Sequence, residues 1–141
     1  MAQVKVTREF DVNADAIWAV VRQFDKMDQF LPSLITNCTV EGHGQGAKRV
    51  CGTENGDIRE TLTLLDDDRM TMEYTIDNED APLPLSDYTG GASVESLGAG
   101  RARFSGSGTF EPKGLPESEV SQILEGAYGA ILDNIAGSAA S

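Results

Sequence analysis

Between Pro116 and Ile135, apolar residues recur at helical spacing: Val120, Ile123, Leu124, Ala127, Tyr128, Ile131, Leu132 and Ile135. All eight fall on one stripe of an amphipathic helix roughly 30 Å long at 1.5 Å per residue. A stripe of that length needs a broad apolar surface beneath it, and the strand-rich sequence ahead of it offers only the concave face of an antiparallel sheet. Gly126 and Gly129 interrupt the helix and are expected to leave the stripe incompletely filled. A helix held by a curved sheet with space left between them encloses a pocket.

The sheet is legible in the alternation of residues. Val4, Val6 and Phe10 open a first strand, and Asn13 is placed to cap a helix carrying Ile17, Trp18, Val20, Val21 and Phe24. A second short helix over Met27–Leu31 ends at Pro32, because the residue before proline avoids helical geometry. Beyond it the chain is strand and turn. Ile35–Glu41 and Ala47–Thr53 flank the glycine-rich turn Gly42-His43-Gly44-Gln45-Gly46, and Asn55-Gly56 marks a second hairpin. Ile58–Leu65 and Arg69–Asp77 pair across Asp66-Asp67-Asp68, with Met70, Met72, Tyr74 and Ile76 on one face. Tyr88–Leu97 and Arg101–Phe110 flank Gly98-Ala99-Gly100. Ala81-Pro82-Leu83-Pro84-Leu85 is a stiff apolar loop whose leucines require a cover.

With 141 residues, 40% hydrophobic and 24% charged, the chain suits one core, and a single domain over residues 1–136 with a fraying tail over 137–141 is expected. Eleven Lys and Arg against 23 Asp and Glu give a formal charge of −12, which repels nucleic acid and anionic lipid. No signal core or membrane-length apolar run is present, so the expected setting is cytoplasmic, without membrane insertion. Cys38 and Cys51 have no CxxC spacing and no histidine cluster; no metal or other cofactor is expected. His43, the only histidine, sits in a hairpin turn, which leaves no Ser-His or Cys-His device for nucleophilic hydrolysis. Met70 and Met72 read as adaptable core filling, and Asp66-Asp67-Asp68 as a solvated turn lacking the pattern of a calcium loop.

The element order, with Val40-Glu41-Gly42-x-Gly44-x-Gly46-Ala47-x-Arg49, Ile58-Arg59-Glu60-x-Leu62-x-x-Leu65-Asp66 and Leu83-x-Leu85-x-x-Tyr88, resembles the SRPBCC or START-like superfamily. That superfamily includes birch-pollen-type allergens, plant abscisic acid receptors, START lipid carriers and polyketide cyclases/dehydrases. The resemblance spans nearly the whole chain and implies an α+β helix-grip fold. In it a curved antiparallel sheet of about seven strands wraps a long C-terminal helix, with two short helices after the first strand. Arg59 through Arg69 is similar to the part of abscisic acid receptors whose matching glutamate lines the hormone pocket, which nominates Glu60. Thr36 stands near the position of those receptors' ligand-binding lysine. Their gate loop is replaced here by the short turn Cys51–Gly56, so the plant hormone mechanism is not implied.

Hairpin arithmetic places the candidate site. A Gly44-Gln45 turn pairs Val40 with Arg49 and Cys38 with Cys51, and an Asn55-Gly56 turn pairs Cys51 with Glu60 and Arg49 with Leu62. Ile58, Leu62 and Leu64 make their face apolar, so Arg49, Cys51 and Glu60 point inward with Arg49 diagonal to Glu60. Inward charges must pair, meet water or face a ligand; alternatively, Arg49 curls to the rim and Glu60 answers it. Cys38 and Cys51 are read as reduced, buried thiols rather than a cross-strand bond.

The leading expectation is a binding or carrier protein for a hydrophobic small molecule, such as a lipid, isoprenoid, aromatic or polyketide-like compound. Its candidate wall is Trp18, Phe24, Leu62, Tyr74, Val94, Phe104, Leu124 and Ile131. Arg49 and Glu60 orient the polar end of the ligand, and Leu83 and Leu85 form a lid. Tyr88 and Tyr128 join the candidate wall, although a core role with satisfied hydroxyls suits them slightly better. The rival is a cyclase/dehydrase in which Glu60 and Tyr74 exchange protons and Arg49 stabilises an enolate. Pairing with Arg49 is expected to lower the Glu60 pKa, which favours orientation over acid catalysis. A third class is an accessory protein with a vestigial pocket. The protein is expected to act as a monomer or homodimer.

Overall fold

The computed structural model describes residues 1–140. Among them, seven strands form one antiparallel sheet: β1 Ala2–Phe10, β2 Asn37–Glu41, β3 Lys48–Thr53, β4 Gly56–Asp66, β5 Thr71–Ile76, β6 Leu85–Ser96 and β7 Ala102–Pro112. Their spatial order is β1-β7-β6-β5-β4-β3-β2. Each hairpin therefore lies beside its sequence neighbour, and only β1 joins across the chain, against β7. Between β1 and β2 stand α1, Ala14–Val21, a 3₁₀ turn over Phe24–Lys26, and the one-turn α2, Met27–Phe30. The chain closes with α3, Glu117–Ala140, packed on the concave face of this helix-grip fold.

Asn13 occupies the N-cap position of α1 without capping through its side chain. Its Oδ1 instead accepts the Gly100 amide at 2.8 Å, joining α1 to the β6–β7 turn. Arg22 and the Trp18 indole both donate to Asp67 Oδ1, at 2.8 and 2.7 Å, so the β4–β5 turn is moored to α1 rather than merely solvated. These bonds, the Arg22 bond first, hold the Asp67 carboxyl below its ordinary range.

The helical stripe divides when placed on the sheet. Val120, Tyr128, Leu132 and Ile135 are buried, while Ile123 is 50% exposed. Gly126 faces open space, and Gly129 is covered by Arg8, whose Nη1 donates to the Gly129 carbonyl at 3.2 Å and to Asp133 at 2.6 Å. Neither glycine hollows the interior, contrary to the sequence expectation. The expected fraying tail is also helical as far as Ala140, because Ala136 is buried and Ala139 packs against the main core. Ser141 lies outside the described residues.

The register of β2 on β3 is the expected one, with Cys38 opposite Cys51 and Val40 opposite Arg49. The next hairpin turns one residue earlier than expected, which shifts its pairing by two residues. Thr53 pairs with Gly56, so Glu54-Asn55 is the turn and Arg49 lies directly opposite Glu60. A shift of two residues preserves the face, which is why the inward direction survives the error. A register shift between Leu62 and Leu64 then makes Leu65, paired with buried Met72, the residue that packs on the core in place of Leu64.

Cys38 and Cys51 are disulfide-bonded, with Cα atoms 4.2 Å apart. This corrects the expectation of two thiols: directly opposed cross-strand positions bring the two side chains within bonding reach. Buried apolar residues form three clusters around Trp18, Phe104 and Leu132, around Phe110, Val120 and Tyr128, and around Leu31, Ile35 and Ile58.

Candidate functional site

Arg49 projects from β3 into the interior and is 3% exposed; Glu60 opposite it on β4 is 6% exposed. Arg49 Nε and Nη2 both donate to Glu60 Oε1, at 3.0 and 2.8 Å, and Nη1 donates to the Phe24 carbonyl at 2.9 Å. The guanidinium lies over the Phe24 ring with its Cζ 4.0 Å from the centroid, and 5.4 Å from that of Tyr74. A desolvated cation on an aromatic face gains roughly 2 kcal/mol, which offsets part of the cost of burying the charge.

Glu60 Oε2 accepts no hydrogen bond from any described residue. Every described side-chain oxygen or nitrogen sealed from solvent does have a partner, so Oε2 retains open surface. Glu60 lines a chamber of about 110 Å³ between the sheet and α3, open to solvent at its mouth, where the three apolar clusters meet. Arg49, Glu60, Tyr74, Leu83, Leu85, Tyr88, Leu124, Tyr128 and Ile131 line it. A narrower space of about 40 Å³ shares Arg49, Tyr74, Tyr128 and Ile131 and reaches Phe104.

The other expected wall residues lie elsewhere. Trp18 and Val94 pack in the main core, where Trp18 is held by its bond to Asp67. Leu62 sits two residues beyond Glu60 on the same strand face and, with Phe24, borders an open surface cleft beside His43; Phe24 serves the site from below, as the platform for Arg49. Leu85 is buried and Leu83 half-buried at the chamber edge, so they do not form an exposed docking patch. Met27, Ile58 and Ile76 complete the wall and had no distinguishing sequence signal beyond apolar alternation.

The end of the chamber is built from three tyrosines over two glycines. Tyr74 on β5 pairs with Gly90 on β6, which pairs with Gly108 on β7. A Cβ at Gly90 would stand 2.6 Å from Tyr74 Cζ, and one at Gly108 would meet the Tyr128 hydroxyl and stand 2.9 Å from Tyr88 Cε2. Glycines inside strands mark such a close approach, and their pairing here comes from the sheet register. The Tyr88 and Tyr128 hydroxyls bond each other. Burial pushes all three phenols above their ordinary range.

Burial also raises the Glu60 carboxyl, against the opposing pull of Arg49 and with a further push from Asp77. The expected lowering fails because desolvation of a nearly enclosed carboxylate outweighs a single cation whose bonds reach only one of its oxygens. Among the described residues, no group of three or more His, Cys, Asp or Glu is arranged to hold a metal ion.

The family model for polyketide cyclase/dehydrase and lipid transport matches residues 1–140. The chain belongs to this family. Its sheet and long closing helix are those of the birch-pollen-allergen-like helix-grip fold. Solved structures similar to this family member include the protein XoxI from Bacillus cereus, with 22% identity, a TM-score of 0.86, and 100% of this chain and 97% of that one covered. Ara h 8.0201 matches at 20% identity and a TM-score of 0.78, with 99% and 97% covered. A norcoclaurine synthase point mutant from Thalictrum flavum, in complex with a transition-state analogue, matches at 18% identity and a TM-score of 0.75, with 99% and 94% covered. At these identities the likeness carries the fold alone. No curated protein matches the chain in sequence.

Proposed function

We propose that this protein binds a small hydrophobic molecule in the chamber between the sheet and α3, as a binding or carrier protein. The observation that carries this reading is an unpartnered carboxylate oxygen, Glu60 Oε2, on a residue that lines an otherwise largely apolar, open-mouthed chamber. A structural ion pair would be expected to use both oxygens. The chamber is smaller than the ~300–1,000 Å³ of common ligand pockets. A lipid, isoprenoid or polyketide-like guest therefore requires the Leu83–Leu85 segment and the exposed Ile123 side chain to move aside.

Native mass spectrometry of the purified protein, followed by denaturing extraction, tests this. The expected result is a co-purifying hydrophobic compound that is lost from Glu60→Gln and Arg49→Met. A mass without ligand that also ignores a lipid, aromatic and polyketide panel contradicts it.

One observation favours the enzymatic alternative: the raised Glu60 carboxyl on the same sheet face as Tyr74, which suits a general acid in an aldol or dehydration step. Turnover of a polyketide-like substrate, with an ionisation that disappears in Glu60→Gln, would establish it. As to setting, among the described residues no helix is long and apolar enough to cross a membrane. The cytoplasmic expectation belongs to this proposal and is tested by cell fractionation with thiol alkylation. The Cys38–Cys51 bond favours an oxidising compartment, and recovery of alkylated thiols would favour the cytosol.

A further inference from the structure

Resting on the binding reading, we infer that the chamber selects an uncharged, single-ring-sized molecule bearing a hydroxyl group, and rejects carboxylates and ammonium ions of the same size. Size comes first. A space of about 110 Å³ lies just below the ~150 Å³ of an apolar cavity that takes benzene, and its open mouth lets the guest's rim reach solvent. One ring fits without rearrangement.

Polarity narrows the class further. Three of the five guanidinium N–H groups of Arg49 are committed, to Glu60 Oε1 and the Phe24 carbonyl. Two N–H groups of Arg49, which also lines the chamber, have no acceptor among the described residues. The Tyr88 and Tyr128 hydroxyls share one hydrogen bond, which uses one of their two protons and leaves the other available to a further acceptor. The site thus offers an open acceptor and open donors, and a hydroxyl answers both by donating to Oε2 and accepting from Arg49.

Charge decides against the alternatives. Arg49 and Glu60 already neutralise each other, and both are almost wholly buried. A guest carboxylate would gain the spare N–H groups but sit against Glu60, and an ammonium would gain Oε2 but sit against Arg49. Either would bring an uncompensated charge into the interior, and no other charged side chain lines the chamber. An ether or a bare hydrocarbon would leave Oε2 unanswered.

Four probes of similar size test this by chemical-shift titration of the whole protein near pH 8: benzene, phenol, benzoate and benzylammonium. Phenol is expected to bind roughly tenfold tighter than benzene, the difference carried by about one charge-assisted hydrogen bond net of desolvation. Benzoate and benzylammonium are expected to bind no tighter than benzene. In the double variant Arg49→Met, Glu60→Leu, benzene binding should persist and the advantage of phenol should vanish. Benzene binding equal to phenol in the wild type, or either ion binding tightest, overturns the hydroxyl inference while leaving the pocket intact. Binding of none of the four overturns the binding reading together with it. The wild-type comparison stands alone if the double variant fails to fold.

Discussion

Arg49 reaches Glu60 through two nitrogens that converge on a single carboxylate oxygen, across directly opposed positions of β3 and β4. The pair is buried to 3% and 7% side-chain exposure, so its members depend on each other. Removing one partner of such a pair typically costs about 3–5 kcal/mol, whereas replacing both by apolar groups of similar volume is often neutral or better. Urea unfolding of Arg49→Met should show a loss in that range, and the double variant Arg49→Met, Glu60→Leu should recover most of it. Equal losses in the two would mean that the charge pair is not the source.

The raised Glu60 carboxyl fixes the sign of a pH effect. The folded protein holds this proton more tightly than the unfolded chain, whose carboxyl titrates near the ordinary value of 4.5. The stability contribution of the group is therefore fully present below that value and is lost as pH rises through the higher folded value. The stability of the wild type minus that of Glu60→Gln should fall across this window. A difference that grows with pH would mean that pairing with Arg49 outweighs burial.

Gly108 holds the floor on which Tyr88 and Tyr128 meet. A methyl group there has no room among buried rings, and overpacking of this kind costs about 1–3 kcal/mol. Gly108→Ala should lower stability by that amount and shift the ring resonances of both tyrosines. An unchanged spectrum would place the rings elsewhere.

The Cys38–Cys51 bond closes a loop with a sequence separation of 13 at the edge of the sheet. In the chain-entropy account, a bond of this span constrains the unfolded state by about 3 kcal/mol. Reduction, or Cys38→Ala with Cys51→Ala, should lower the free energy of unfolding by about that amount. No change on adding a dithiol, with both thiols free by mass, would contradict a bonded pair.

The strands and the long helix were legible because alternation and helical spacing report which face is buried, as Met72 on β5 and Leu132 on α3 illustrate. The inward direction of Arg49 and Glu60 was legible for the same reason, and it survived a misplaced turn because a two-residue slip leaves parity intact. Direct opposition was not legible. It depends on whether Glu54-Asn55 or Asn55-Gly56 turns, a choice of local backbone geometry that side-chain pattern leaves open. Trp18 and Val94 were assigned to the wall because an apolar residue on the inner face looks the same whether it borders a cavity or fills the core. The disulfide follows from register, which sets the two cysteines opposite each other, and not from any compartment that composition suggests. The tyrosine floor depends on Gly90 and Gly108 falling on paired positions of adjacent strands, which only the sheet register reveals.

The central claim is that a hydrophobic molecule occupies the space between the sheet and α3 beside Glu60. Intermolecular nuclear Overhauser effects from bound phenol test it most directly. The account predicts contacts to the Leu124 and Ile131 methyls and to the Tyr74 ring, which face one another across the chamber. Contacts confined to an open surface cleft, such as that of Asp77, Ser86 and Lys113, would contradict it.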